Sequence, residues 1–185
     1  MRENCLRLRL QTATRDVHQM LHRAPAFAAL AEGNISRRKF NLVMSRMGGF
    51  YAALDKVMAD GCRQFEAALG EYRYVPRATC FETPVSESPD LAAPESAASL
   101  AGMAYVADGA TLGGKILGRA IGGDPVHPYF EFCSTKGSAI WRRTLALLEH
   151  VDRDGKARAD AVHAALTTFE AFASHVTPEI LEQAA

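Results

Sequence analysis

Apolar side chains recur every three or four residues along most of the chain, a spacing that places them on one face of a helix. The clearest case follows Ser36, whose hydroxyl can accept a hydrogen bond from a free N–H group of the first helical turn. No convincing strand-like alternation of apolar and polar residues runs over four or more positions. The pattern therefore predicts an all-α fold. The apolar face of the helix after Ser36 is formed by Phe40, Val43, Met44, Met47, Phe50, Leu54, Val57 and Met58.

The same spacing predicts further helices on both sides of that one. The first is expected from about residue 6 to 21, and Pro25 is expected to open a short helix at its first turn, where a missing N–H does no harm. Later helices are expected at about 95–120 and 138–150, and a last one follows the turn at 152–155. The inward stripe of the first helix is Leu6, Leu10, Val17 and Leu21, and the last helix carries Ala161, Ala165, Leu166, Phe169 and Phe172.

Two segments break the helical pattern. Residues 122–125 read Gly-Gly-Asp-Pro, and residues 74–94 contain four prolines with Thr and Ser between them. Prolines this dense block both a helix and a central strand. We expect 74–94 to form a long surface loop within a single domain that spans residues 1–185, since a chain of this length suits one domain.

Composition narrows the class of protein. The chain has 21 Lys plus Arg and 21 Asp plus Glu, so its formal charge is zero, which argues against a nucleic-acid binder. The longest stretch without these residues, 96–107, is far shorter than the roughly 20 apolar residues of a membrane-spanning helix. Charged residues interrupt the start of the chain, so no secretory signal is expected there. Four cysteines without a C-x-x-C pair are expected to be reduced thiols in a cytoplasmic protein.

The predicted helix at 95–120 is unusually rich in glycine, with Gly102, Gly109, Gly113, Gly114 and Gly118. Each glycine inside a helix costs about 1 kcal/mol relative to alanine, so some other interaction must offset them. Close packing of helices would explain the spacing of four residues. A helix that kinks and exposes its backbone to a flat ligand would explain it equally well.

His18 and His22 are four residues apart and therefore share a helix face. They could be two surface histidines, or they could converge on one metal ion. The string His-Gln-Met-Leu-His is similar to a zinc-protease motif, but Gln19 replaces the glutamate and an amide cannot act as a general base. A third interpretation is that one imidazole binds haem iron while its other nitrogen is held by a hydrogen bond.

Four segments in order resemble the haem oxygenases, most closely the bacterial branch associated with bacteriophytochromes. Residues 8–18 are similar to the L-R-x-x-T-x-x-x-H of the family's proximal helix, and residues 49–54 to its G-F-Y-x-P-L-E. Residues 105–114 are similar to the distal-helix motif Y-V-x-E-G-S-x-L-G-G, and Gly137 with Trp141 to a G-x-x-x-W element. The resemblance implies a single all-helical domain with haem between a proximal and a distal helix.

The resemblance also implies an activity and a set of site residues. In that family haem is cofactor and substrate, and O2 with electrons from an external reductase cleaves it to biliverdin, CO and ferrous iron. A bacteriophytochrome would be the acceptor of the biliverdin. His18 takes the position of the axial ligand to iron, and Thr14 and Arg15 take positions beside the haem. The other expected site residues are Tyr51, Gly109, Ala110, Gly113, Gly114 and Phe169.

Three positions depart from the family pattern. His22 replaces a carboxylate that orients the ligand, Ala110 replaces an aspartate after the first distal glycine, and Gln11 replaces a lysine that pairs a haem propionate. Arg15 is the candidate substitute for that lysine. Besides a haem oxygenase, the residues leave open a non-catalytic haem binder or sensor, and a helical interaction protein without haem.

Overall fold

The computed structural model describes residues 5–81, 87–122 and 127–177. This part of the chain contains helices and no strand, as the apolar pattern predicts. Two short 3-10 helices cover Glu66–Ala68 and Ala78–Cys80. The α-helices of the described residues are α1 (Leu6–Ala13), α2 (Arg15–Arg23), α3 (Pro25–Ala31), α4 (Arg37–Gln64), α5 (Ala97–Ile121), α6 (Pro128–Val151) and α7 (Gly155–Val176).

Helix α5 is the central element, and both α6 and α7 pack along it. Small residues allow these neighbours to come close. A Cβ at Gly102 would lie 2.0 Å from the carbonyl oxygen of Ala161 in α7, so the observed approach requires glycine. The close packing holds α5 in one place along much of its length.

Three of the predicted helix starts are confirmed, two by a side-chain cap and one by a proline at the first helical position. The Ser36 hydroxyl accepts from the Lys39 N–H at 3.4 Å at the start of α4. Pro25 is the first residue of α3. At the start of α5 the Ser96 hydroxyl accepts from the Ser99 N–H at 3.1 Å.

The expected stops between helices are also found where the structure describes them. Gly122 ends α5 with φ +62°, a conformation that favours glycine. The rest of that predicted break, residues 123–125, lies outside the described residues. After α6, Asp154 caps α7 by accepting from the Ala157 N–H at 2.8 Å.

The predicted first helix is divided at Thr14, which separates α1 from α2. The Thr14 hydroxyl donates to the Leu10 carbonyl at 2.8 Å, and a side chain that bonds back to its own helix bends the helix. The predicted inward stripe survives the division. Leu10 and Val17 are buried with Leu6, and Leu21 is half-buried.

Helix α6 begins at Pro128, about ten residues before the predicted start at 138. Proline suits the first helical position, and the His127 ring accepts from the Tyr129 N–H at 3.2 Å to cap the helix. Gly137 therefore lies inside α6. A Cβ there would lie 3.0 Å from the Thr111 hydroxyl of α5, so the glycine is explained by packing of the two helices.

The prediction that 74–94 is a surface loop is wrong for part of its described residues, 74–81 and 87–94. Arg77 is fully buried and Phe81 is 7% exposed. Arg77 is buried because it pairs with Asp108 of α5, a contact that local sequence does not reveal.

Candidate functional site

His18 lies on α2 with its ring against two other rings. The ring centroids of His18 and His22 are 4.4 Å apart, and Phe169 of α7 lies 6.0 Å away, edge to face. The His18 residue as a whole is exposed, yet the partial burial of its ring lowers its pKa, and the neighbouring His22 lowers it further. The structure thus brings two of the predicted haem contacts, His18 and Phe169, together.

Thr14 joins α2 to the central helix. Its side chain is buried and shares a hydrogen bond with Tyr105 of α5, a bond that partly opposes the rise in the Tyr105 pKa caused by burial. His18 lies one helical turn beyond Thr14, and Gly109 lies one turn beyond Tyr105. His18 and Gly109 therefore each lie one helical turn beyond the contact between Thr14 and Tyr105.

The glycines of α5 divide into two groups with different surroundings. Among the described residues, a Cβ at Gly113 would have nothing within 4 Å, and one at Gly109 would meet only the Trp141 ring, at 3.4 Å. A Cβ at Gly114 would lie 2.6 Å from the Cys133 sulfur, and one at Gly118 would lie 2.7 Å from Phe130. The close-packing interpretation is thus confirmed for Gly114 and Gly118, while the face at Gly109 and Gly113 is free of close contacts with the described residues.

Gly114 was expected beside the haem with the other distal glycines. Its Cα instead packs on α6, against Cys133 and Tyr129. This packing explains the missing side chain without any ligand, so the surroundings of Gly114 do not support a role at the cofactor.

The face of α5 that carries Gly109 and Gly113 also carries Ile116, seven residues after Gly109. Ile116 is 67% exposed, which is the highest exposure among the large apolar residues of the described chain. Open glycine and exposed isoleucine on one face leave an apolar surface that a flat apolar ligand could cover.

Tyr51 lies in a buried aromatic cluster between α4 and α6. Its hydroxyl is 3.1 Å from the Tyr129 hydroxyl, and its ring stacks on Phe81 at 5.6 Å. Burial raises the Tyr51 pKa to about 12, although Arg77 and the bond to Tyr129 act in the opposite direction. The hydroxyl is therefore protonated throughout the physiological range.

The two remaining predicted positions lie on α2 and α5. Arg15 is exposed in the first turn of α2, three residues before His18. Ala110 is half-buried on α5, directly after Gly109, and offers only a methyl group.

Sequence reasoning missed the polar cluster around Asp108, which immediately precedes Gly109. This carboxylate is 1% exposed and accepts hydrogen bonds from Tyr72 (2.8 Å), Thr144 (2.6 Å) and the guanidinium of Arg77. One signal was available, since Asp108 is the only charged residue between 97 and 114. A lone carboxylate in a buried helix needs partners.

A cavity of about 360 Å³ lies elsewhere, and it contains none of the predicted site residues. Its lining is Leu8, Arg9, Thr12, Ala13 and Val162, from α1 and α7. Within residues 5–81, 87–122 and 127–177, no group of three or more His, Cys, Asp or Glu side chains is arranged to hold a metal ion. The zinc interpretation of His18 and His22 thus finds no third protein ligand in this part of the chain.

None of the helices described is both long and apolar enough to cross a bilayer. All four cysteines lie in the described residues, and none forms a disulfide.

Comparison with known proteins identifies the family. The family model "Heme oxygenase" matches residues 4–177. A protein named Heme oxygenase from Xanthomonas campestris pv. campestris (strain 8004) is 31% identical over 153 residues, which cover 78% of this chain and 92% of that relative. The chain belongs to the haem oxygenase family and is a haem-degrading oxygenase.

Proposed function

We propose that haem binds between α2 and α5, with His18 as the ligand to iron and the face of Gly109 and Gly113 on the opposite side. The products are biliverdin, CO and ferrous iron, formed with O2 and electrons from an external reductase. The observation that carries the proposal is the open space at Gly113, where no atom of the described residues would lie within 4 Å of a Cβ, whereas Gly102, Gly114 and Gly118 of the same helix are covered by neighbouring residues.

The residues fit haem in two respects. The lowered pKa of His18 favours neutral imidazole, the form that binds iron, and the ring is held by Phe169 and His22. A side chain at Gly113 would extend into the space that the ring needs, whereas glycine leaves it free. When bound, haem supplies the iron that activates O2 and the porphyrin that is cleaved.

The protein's own side chains orient the substrate and exclude water. Trp141 borders Gly109, and Tyr105 packs on Trp141 with ring centroids 5.6 Å apart. Ile116 would become buried under the ring, which removes apolar surface from water. Arg15, exposed near His18, is the candidate to pair a haem propionate.

Proton supply on the distal side cannot come from Ala110, which has no polar group. The candidate that the resemblance provides is Tyr51, whose pKa is raised to about 12 and whose hydroxyl lies 3.1 Å from that of Tyr129. We propose that the Tyr51 hydroxyl helps to hold a distal water by hydrogen bonding and does not itself ionise during the reaction.

The cellular setting completes the proposal. Unpaired thiols suit the cytoplasm, where a reductase can deliver electrons. A bacteriophytochrome is the proposed acceptor of the biliverdin. Mixing the product complex with an apo-bacteriophytochrome, and following the red-light absorption of the assembled photoreceptor, tests that step separately.

The function is tested by titrating ferric haem into wild type, His18→Ala and His150→Ala, followed by ascorbate in air. His150 is an exposed histidine near the end of α6 and serves as the matched control. We expect wild type and His150→Ala to form 1:1 complexes and release biliverdin and CO. His18→Ala should bind haem weakly, with an altered Soret band, and release no biliverdin.

A second function, a haem binder or sensor without turnover, is favoured by the methyl group at Ala110. It predicts a 1:1 complex in which haem stays intact after repeated reduction in air. Intact haem in the wild-type protein would therefore refute the oxygenase proposal and leave the binder. Failure of wild type to bind haem at micromolar concentrations would refute both.

A further inference from the structure

We infer that Asp108 is a positioning residue that sets the register of α5 against α6 and thereby the places of Gly109 and Trp141 beside the haem. The inference rests on the proposed haem site between α2 and α5.

Three donors from three separate parts of the chain hold the Asp108 carboxylate. The Tyr72 hydroxyl donates at 2.8 Å from the segment after the first 3-10 helix, and the Thr144 hydroxyl donates at 2.6 Å from α6. The third donor is the Arg77 guanidinium, which comes from the predicted loop. All four side chains are buried, so the cluster is isolated from solvent and its geometry is closely determined.

The backbone at Arg77 is fixed by hydrogen bonds to Asp55, and the guanidinium of Arg77 is free to bond Asp108. The backbone N–H groups of Arg77 and Ala78 both donate to Asp55 of α4, at 2.8 and 2.7 Å. The guanidinium carbon lies 4.9 Å from the centre of the Tyr74 ring. Within the described residues, Nε and Nη1 of Arg77 have no hydrogen-bond acceptor, so the Asp108 carboxylate is the guanidinium's hydrogen-bond partner there.

The contacts of α6 explain how the cluster acts on the site. Thr144 bonds Asp108, and Trp141, three residues earlier on α6, borders Gly109, the next residue of α5. One turn earlier still, Gly137 packs on Thr111, whose hydroxyl donates to the Asp108 carbonyl at 2.6 Å. A slip of one helix along the other would therefore break the Thr144 bond and move the Trp141 ring off Gly109.

The cluster is suited to a fixed position and not to proton transfer. Burial raises the pKa of Tyr72 well above its usual value, and the adjacent Asp108 raises it further, so this hydroxyl stays a donor. Each donor thus keeps the same hydrogen bond across the working pH range.

The test compares the position and orientation of bound haem, called its seating below, in Asp108→Asn, Thr144→Val and a control, Thr167→Val. Thr167 is an exposed threonine on α7 whose hydroxyl donates only to its own helix, at 3.1 Å to the His163 carbonyl and 3.2 Å to that of Ala164. Seating is read from the haem-methyl resonances of the ferric complex by proton NMR, which does not require turnover. Stability is measured on the same proteins by urea unfolding.

We expect displaced or doubled haem-methyl resonances in Asp108→Asn and Thr144→Val, and a wild-type spectrum in Thr167→Val. Both site variants should also yield a changed ratio of biliverdin isomers, because the ring presents a different edge. If Asp108→Asn fails to fold, the spectrum of Thr144→Val decides whether the inference holds, because this variant removes one hydroxyl and no charge. A wild-type NMR spectrum and isomer ratio in a folded Thr144→Val would overturn the inference, even if its stability falls.

The outcomes separate this inference from the proposed function. If wild type binds haem without degrading it, the oxygenase proposal fails, while the NMR comparison still decides the role of Asp108. If wild type binds no haem, both are refuted.

Discussion

Gly113 and Gly114 are neighbours in one helix but face different surroundings. Replacing either by alanine gains about 1 kcal/mol of helix propensity, so this gain cancels when the two variants are compared. The new methyl at 113 meets no atom of the described residues within 4 Å, and Gly113→Ala should be as stable as wild type or about 1 kcal/mol more stable. The methyl at 114 would lie 2.6 Å from the Cys133 sulfur and 3.2 Å from Tyr129. Overpacking of this kind costs about 1–3 kcal/mol, which is then also the expected difference between the variants.

Haem binding should rank the two variants in the opposite order. The methyl at 113 occupies the surface that the haem covers, so we expect Gly113→Ala to lose at least about tenfold in haem affinity, or 1.4 kcal/mol. Gly114→Ala should lose less affinity, because its methyl points into the contact with α6. Urea unfolding of the haem-free proteins and Soret titration with ferric haem measure the two quantities separately.

If Gly113 faces the haem and Gly114 faces α6, Gly113→Ala must be the more stable variant and Gly114→Ala must bind haem more tightly. If Gly113→Ala binds haem as wild type does, the open face of α5 is not the haem surface. If Gly114→Ala is as stable as Gly113→Ala, the division of the glycines into packing and ligand faces is wrong.

Three further predictions concern the fold and the walls of the site. Because burial raises the Tyr51 pKa from 10.0 to about 12, its neutral hydroxyl stabilises the fold fully below pH 10, and this stabilisation is lost as the pH rises toward 12. Linkage makes the full loss about 3 kcal/mol above pH 12, of which about 1.3 kcal/mol falls between pH 9 and 11. Urea unfolding at these two pH values should therefore show a shallower pH dependence in Tyr51→Phe, and equal slopes would contradict the assigned pKa. Thr14→Val removes the bonds to Leu10 and Tyr105, and should cost about 1–2 kcal/mol in thermal unfolding and weaken haem binding; unchanged affinity would show that the junction does not support the site. Asp154→Ala removes the cap of α7 and should cost about 1 kcal/mol in urea unfolding, whereas Asp154→Asn, which still accepts the bond, should cost little.

Local chemistry determined the features that were predicted correctly. The start of α4 follows from the Ser36 hydroxyl, and the start of α3 follows from Pro25, because each residue acts within one turn of its own position. The buried stripe of α1 and α2 follows from periodicity, since a face of Leu and Val must be covered wherever the helix packs. The resemblance named Gly109, Gly113 and Gly114 together, but the sequence did not reveal that Gly114 packs on α6 while a Cβ at Gly113 would meet none of the described residues.

Contacts between distant residues account for what was missed. Arg77 is buried in the predicted surface loop because Asp108, 31 residues later, neutralises it. Glycine occurs at position 137 inside α6 because a Cβ there would lie 3.0 Å from the Thr111 hydroxyl of α5. The division at Thr14 depends on a buried hydroxyl that bonds both Leu10 and Tyr105, and the contact with Tyr105 of α5 exists only in the packed structure.

The most direct test of the account is a crystal structure of the ferric haem complex. We predict iron bound to a ring nitrogen of His18, and a porphyrin that covers Gly109, Gly113 and Ile116 while Phe169 contacts the His18 ring. Iron bound to another side chain, or a porphyrin lying on any surface other than the one between α2 and α5, would contradict the proposed site.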